Sequence, residues 1–185
     1  MRVISGTAKG TKLNSIDNLS TRPTLDRVKE PLFSIIQNYI IDANVLDLFA
    51  GSGALGIECL SRGATKSTFC DKSYESIKML KQNIQKTKFE EKSVIYNIDY
   101  KKCLENLRKE KFDIIFIDPP YKLNIAVDSL KRILEYNLLT KDGIIILETD
   151  EEERDLKQIE QIEKLEVIDV RKYGRVRLIF LHERG

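Results

Sequence analysis

A chain of 185 residues, 42% of them hydrophobic, is long enough to bury a core of its own and short enough to form one compact unit. Its net charge of +2 sets up no global field that calls for nucleic acid, so any basic footprint has to be local. No apolar run approaches the roughly 18 residues of a membrane span, and the lone histidine, His182, leaves almost nothing from which to build a zinc centre or a histidine-based triad.

The chain opens on Met1 to Ile4 and turns at once to Ser, Gly, Thr and Lys, without the apolar core of a signal peptide. Cys59, Cys70 and Cys103 are odd in number and far apart, which reads as reduced thiols in a cytoplasmic protein. The segment RVISGTAKGTKLNS has two short strand-like pieces around Gly6 and Gly10 and predicts a hairpin or a loose arm. TRPTLDRVKEPLFSIIQNYI predicts a helix from about Thr24, capped there, with Asp26 in its first turn. Pro31 removes an intrahelical hydrogen bond, so a kink or a restart is expected at Glu30.

From Asn44 onward strand and helix patterns alternate. NVLDLFA, STFCDK, SVIYNID, FDIIFID and GIIILETD read as strands. The segments between them, GALGIECLSRGA, SYESIKMLKQNIQKT, YKKCLENLRKE and NIAVDSLKRILEYNLL, read as helices. A polar helix follows near Arg154 to Lys164, and LEVIDVRKYG and VRLIFLHE meet at Gly174 as a final hairpin. Strands separated by helical stretches of this length predict βαβ units, a mostly parallel seven-stranded sheet and helices on both faces. The closing hairpin adds an antiparallel pair, which such sheets accept. Residues 1–40 are read as an N-terminal hairpin and helix extension, and 41–185 as the α/β body.

LDLFAGSGALGIE places Gly51, Gly53 and Gly56 between the first strand of the alternation and its helix, the context in which a G-x-G-x-x-G loop approaches a ligand. A side chain at Gly53 is expected to intrude on that ligand. Asp71 ends the next strand, where a carboxylate can accept both ribose hydroxyls of a nucleoside. A dinucleotide would bring a pyrophosphate to the helix N-terminus. S-adenosylmethionine instead brings an ammonium and a sulfonium. Asp47 inside the first strand suits the cation and would repel the pyrophosphate, and Asp99 after the third strand offers an acceptor to an adenine amino group. Three carboxylates around one pocket favour the cationic cofactor.

FDIIFIDPPY ends the fourth strand on Asp118, Pro119, Pro120 and Tyr121. In an open α/β sheet that strand end faces the same crevice as the glycine loop. The Asp118 carboxylate and the Pro119 carbonyl make two fixed acceptors, matched to the two N–H donors of a nucleobase amino group. Tyr121 can stack on the base. Acceptors that hold both amino protons aside leave the nitrogen lone pair free to point at a sulfonium methyl. Alignment of this kind supplies on the order of 7–11 kcal/mol. Guanine and adenine offer the same two donors, so the motif does not choose between them.

DLFAGSGALGIE with DPPY resembles the class I, Rossmann-like S-adenosylmethionine-dependent methyltransferases that modify exocyclic amino groups. MRVISGTAKGTKL, TRPTLDRVKEPLFSII, LDLFAGSGALGIECLSRGA and FDIIFIDPPY, in that order, are similar to the bacterial 16S rRNA (guanine(966)-N(2))-methyltransferase family over nearly the whole chain. The resemblance implies a doubly wound fold with an N-terminal β-hairpin extension and S-adenosylmethionine as cofactor. It implies methylation of one guanine amino group in 16S ribosomal RNA within a small-subunit particle. It also implies that Asp71 binds the ribose, Asp99 the adenine, and Asp118 to Tyr121 the guanine. The chain is read separately as a cytoplasmic monomer. Pro31 and the acidic stretch EEERDLKQIEQIE depart from the family pattern, and a solvated helix face is the reading of the latter.

Residues 1–31 carry Arg2, Lys9, Lys12, Arg22, Arg27 and Lys29 against Asp17, Asp26 and Glu30, six minus three, or +3. A basic arm of this kind tracks phosphates. Arg22, fixed beside Pro23, and Lys12 are its strongest candidates. The rival readings are an adenine-N6 methyltransferase acting on DNA or RNA, a protein glutamine methyltransferase, a dehydrogenase and a non-catalytic RNA-binding assembly factor. The dehydrogenase leaves Asp47 and DPPY idle, and the glutamine enzymes carry Asn where Asp118 stands.

Overall fold

The computed structural model describes residues 1–15, 24–120 and 125–185, with the backbone alone for 24–27. Seven strands form one sheet: β1 (Asn44–Asp47), β2 (Lys66–Cys70), β3 (Ser93–Tyr96), β4 (Phe112–Ile117), β5 (Leu139–Thr149), β6 (Leu165–Tyr173) and β7 (Val176–Glu183). Their order is β3-β2-β1-β4-β5-β7-β6. The first five are parallel, β7 runs antiparallel to β5, and β6 and β7 form the closing hairpin at Gly174. This is the predicted Rossmann-like, doubly wound sheet. The winding reverses between β1 and β4, so the crevice for a ligand opens above the carboxyl ends of those two strands.

Helices α1 (Thr24–Ile35), α2 (Gln37–Ile40), α3 (Ala54–Ser61) and α4 (Tyr74–Thr87) cover one face. Helices α5 (Tyr100–Asn106), α6 (Ile125–Glu135) and α7 (Glu152–Ile159) cover the other. Strand alternation divides the core accordingly: Ile114, Phe116, Ile144 and Ile146 point to the first face, Ile115, Ile117, Ile145 and Leu147 to the second. Helix α4 shows why the amphipathic segments fold as they do. Ile77, Leu80, Ile84 and Thr87 are buried along one stripe. Ser73 caps the helix by accepting the Ser76 N–H at 3.2 Å, Glu75 stands in the first turn and Lys86 in the last.

Two expectations change near the N-terminus. Helix α1 runs unbroken past Pro31, and the break falls at Ile36 instead of Glu30. Val28, Leu32, Phe33 and Ile36 are all buried, so their packing outweighs the single bond that proline removes. The opening segment is a hairpin, and it is not loose. Arg2 pairs with Lys12 in an antiparallel bridge, and the Val3 and Leu13 side chains are buried in the core of the first face. Gly6, at φ +83°, lies so close to α3 that a Cβ would sit 1.7 Å from the Ser61 carbonyl oxygen. Among the described residues no helix is long and apolar enough to cross a membrane.

Candidate active site

The glycine loop is a hydrogen-bonded unit built on the ends of β1 and β2. The buried Asp47 carboxylate accepts the Gly56 N–H at 3.1 Å and so ties β1 to the first turn of α3. Asp71 accepts the Gly51 N–H at 2.9 Å and the Ser73 N–H at 2.8 Å, joining the loop to the start of α4. Two of its roughly four lone-pair sites are thereby used, and the rest remain for a ligand. The three glycines are required for different reasons. A Cβ at Gly53 would meet Leu80 Cδ1 at 2.2 Å, and one at Gly56 would meet Phe69 Cε1 at 2.3 Å. Both point into the protein. Gly51, at φ +53°, faces open space. The expectation that a side chain at Gly53 would intrude on a ligand is therefore corrected: it would collide with α4, and Gly51 is the glycine that leaves room on the open side.

Asp47 is only 2% exposed. Burial pushes its carboxyl up to about 7, helped by the nearby Asp71 charge and opposed by the Gly56 N–H. The folded chain therefore holds this proton between about pH 4 and 7, where an unfolded chain has lost it. The folded state binds more protons in that window, so Asp47 makes stability fall as pH rises through it. Asp47→Asn keeps an acceptor for Gly56 and removes the titration. The expected result is a flatter dependence of Tm on pH between about 4 and 7 than in the parent protein.

On the other side of the switch point, β1 and β4 pair with Asp47 opposite Phe116, and the Leu48 N–H donates to the Phe116 carbonyl at 3.1 Å. Asp118 follows two residues after Phe116, and Gly51 follows four residues after Asp47, so both chain segments leave the sheet at the same carboxyl edge. Parallel strands lie about 4.8 Å apart, so the two motifs share one edge. Asp118 is half-buried, Pro119 buried and Pro120 exposed. Each proline restricts the backbone of the residue before it, which fixes the direction of the Asp118 and Pro119 carbonyls. Tyr121 lies outside the described residues.

Asp99 caps α5 through Lys101 N–H, at 2.9 Å, and is otherwise exposed just beyond β3. The residue after it was not singled out in the sequence. The Tyr100 ring packs against Phe49 with centroids 5.4 Å apart, so the residue after Asp99 reaches the segment between β1 and the glycine loop. Its hydroxyl donates to Asp128 at 2.8 Å, and burial together with that carboxylate pushes the phenol above its ordinary range. A second carboxylate, Glu148, is buried at the end of β5, one strand over from Asp118. Neither has a sequence signature: an aromatic after a cap and an acid after an apolar strand are common, and register alone brings them to this edge.

Of the basic residues, Arg2, Lys9 and Lys12 are exposed on the hairpin, and Arg2 and Lys9 line, with Glu30, a cavity of about 330 Å³. Lys29 does not join them. It is fully buried in an ion pair with Glu58 at 3.0 Å, so the local excess of positive charge offered to solvent is smaller than the sequence count. Arg22 and the Arg27 side chain lie outside the described residues. The hairpin lies along α3. Its turn contacts Ser61 through Thr7 and Ala8, its middle is held by Glu58 through Ile4 and Ser5, and its outgoing end at Asn14 reaches the glycine loop by way of Asn83.

The family model described as "Conserved hypothetical protein 95" matches residues 1–182. "Ribosomal RNA small subunit methyltransferase D" of Haemophilus influenzae is 38% identical over 157 residues, covering 83% of this chain and 80% of the relative. YlbH of Bacillus subtilis, a candidate rRNA methyltransferase by its name, is 42% identical over 154 residues, 82% of this chain and 84% of its own. The solved structure of yhhF from Escherichia coli, described as a candidate methyltransferase, superposes with a TM-score of 0.84 at 28% identity, covering 99% of this chain and 97% of that one.

Proposed function

Because the chain belongs to the family described as conserved hypothetical protein 95, we propose that it is an S-adenosylmethionine-dependent rRNA methyltransferase that transfers a methyl group to N2 of one guanine in 16S ribosomal RNA. The β1–β4 pairing, which ends with Asp47 opposite Phe116 two residues before Asp118, supports this reading. The relatives named above, which include a ribosomal RNA small subunit methyltransferase, support it.

The residues fit the cofactor. Gly51 leaves the open side of the loop free for close approach, Asp71 keeps acceptors for ribose hydroxyls, and Asp99 stands within the rim for the adenine amino group. Asp47 acts from behind the loop, holding Gly56, and a cation in the crevice would favour its ionised form. S-adenosylmethionine supplies, when bound, a methyl group on a sulfonium that leaves without acid assistance. The chain's own part is positional. Asp118 and the Pro119 carbonyl accept the two amino protons of the base, and Tyr121 is assigned to stack on it. Asp118 is at most a weak acceptor for the proton that the amine sheds after transfer, and that proton passes on to solvent.

Residues 1–40 serve as the recognition arm and 41–185 as the catalytic body. Arg2 and Lys12 stand directly opposite each other on the hairpin. Like charges in that position cost folding energy, and an anionic backbone laid across them relieves the cost. Arg2, Lys9 and Lys12, with Arg22 and Arg27, would track phosphates. A ribosomal target places the work in the cytoplasm.

Gly51→Ala should weaken cofactor binding at least about tenfold while the left-handed conformation at that residue costs only about 1–2 kcal/mol of stability. Gly53→Val should instead lower Tm steeply, since its side chain strikes Leu80. Calorimetric titration and thermal melts separate the two. The function itself is tested by mass spectrometry of 16S rRNA from a strain lacking the gene. Loss of a single N2-methylguanosine is expected. Unchanged rRNA, or loss of an N6-methyladenosine, would reject the assignment.

A further inference from the structure

Asn83 is a fully buried side chain whose amide reaches two otherwise separate parts of the chain. Its Nδ2 donates to the Ser52 carbonyl inside the glycine loop at 2.9 Å and to the Asn14 carbonyl of the N-terminal hairpin at 3.0 Å. Its Oδ1 accepts the Asn14 N–H at 2.7 Å. Both amide hydrogens are therefore committed, and the group has no water to turn to if one partner moves. Asn83 stands on α4 three residues after Leu80, the side chain that Gly53 packs against, so one helix face supports the loop and the arm together.

We propose that Asn83 is a positioning residue that couples the cofactor loop to the RNA-binding arm, so that each ligand tightens the other. The inference rests on the function proposed above. A planar amide bridging two carbonyls transmits a displacement of either to the other. A ligand that fixes Ser52 fixes the Nδ2 direction, and with it Asn14 at the outgoing end of the hairpin that carries Arg2, Lys9 and Lys12. The converse holds for RNA on the arm. Coupling of binding free energies is reciprocal, so the factor by which S-adenosylhomocysteine tightens RNA binding equals the factor by which RNA tightens S-adenosylhomocysteine.

The test uses the full chain and S-adenosylhomocysteine as the probe. In the parent protein, saturating probe should slow hydrogen exchange of the Asn14 amide by at least about fivefold, because that N–H is held by Asn83 Oδ1. Asn83→Asp turns both donors into acceptors facing carbonyl oxygens. It should bind the probe at least about tenfold more weakly, and RNA affinity should no longer respond to the probe. Asn14→Ala keeps the backbone contacts and should respond like the parent. Parent protein that binds the probe without slowing Asn14 exchange overturns the coupling, whatever becomes of the variants. So does folded Asn83→Asp with probe affinity within twofold of the parent. Parent protein that binds no probe overturns the proposed function and this inference with it, a result distinct from both.

Discussion

Asp118→Ala should reduce methyl transfer by on the order of 10²–10³ in kcat, the scale for deleting one preorganised polar group from a reacting centre. Cofactor affinity should stay within about threefold, because the change removes an interaction with the base and not with the donor. The geometry makes the separation sharp. Asp118 follows directly after β4, whereas the carboxylates that hold the glycine loop are Asp47 of β1, through Gly56, and Asp71 after β2, through Gly51. The variant should also fold, because the half-buried carboxylate lies beyond the last residue of β4 and outside both apolar clusters. Asp118→Asn should fall between the two, since it retains one oxygen acceptor but presents an NH2 group where the second stood. Single-turnover methylation of rRNA and calorimetric titration with S-adenosylhomocysteine read the two quantities separately. Near-normal turnover in Asp118→Ala would remove the base-binding role of the motif.

The parts of this protein that were legible in the sequence are those whose physics is local. The βαβ alternation is written in period-2 and period-3.6 patterns, and each of the seven strands overlaps the segment those patterns mark, although β1 stops at Asp47 and β5 starts at Leu139, within the stretch read as the end of a helix. The glycine loop could be read because strand, glycines, helix and a distal acid occur together. What each glycine does could not be read: Gly53 and Gly51 differ only in what lies opposite, Leu80 in one case and open space in the other, and that is set by the docking of α4. Pro31 predicted a break because the lost hydrogen bond is a local cost, while the burial of Val28, Leu32 and Ile36 that outweighs it is tertiary. Asn83 was invisible for the same reason. On a helical wheel it is a polar residue beside an apolar stripe, and only the approach of Ser52 and Asn14 from distant parts of the chain turns it into a bridge. Lys29 was counted as a surface charge because lysine is rarely buried without a partner, and its partner, Glu58, lies 29 residues further along the chain.

That pair leads to the largest stability effect expected. Lys29 and Glu58 are both fully buried, 3.0 Å apart, and Lys29 also donates to the Arg2 carbonyl at 3.1 Å. Glu58 accepts the Ile4 and Ser5 N–H groups at 2.9 and 3.0 Å and the Arg62 Nε–H at 2.8 Å, so one carboxylate fastens the hairpin to α3. Burial alone would raise its carboxyl, but Lys29, the Ile4 N–H and Arg62 outweigh that and hold it below the ordinary carboxylate range. Its contribution is thus complete at neutral pH and lost as the solution becomes acid, the opposite sign to Asp47. Removing one partner of a buried pair leaves the other uncompensated, at about 3–5 kcal/mol. Lys29→Met leaves Glu58 with Arg62, which favours the lower end of that range, and for a chain of this size corresponds to a fall in Tm of about 10 °C. Glu58→Ala should cost more, because Lys29 is then a buried cation without a carboxylate and two hairpin N–H groups lose their acceptor. It should also release the arm, so RNA affinity should fall together with Tm. A change of less than about 2 °C in both variants would mean that the ammonium and the carboxylate each find water, and that Val3, Leu13 and the Ser61 contacts suffice to hold the hairpin to α3.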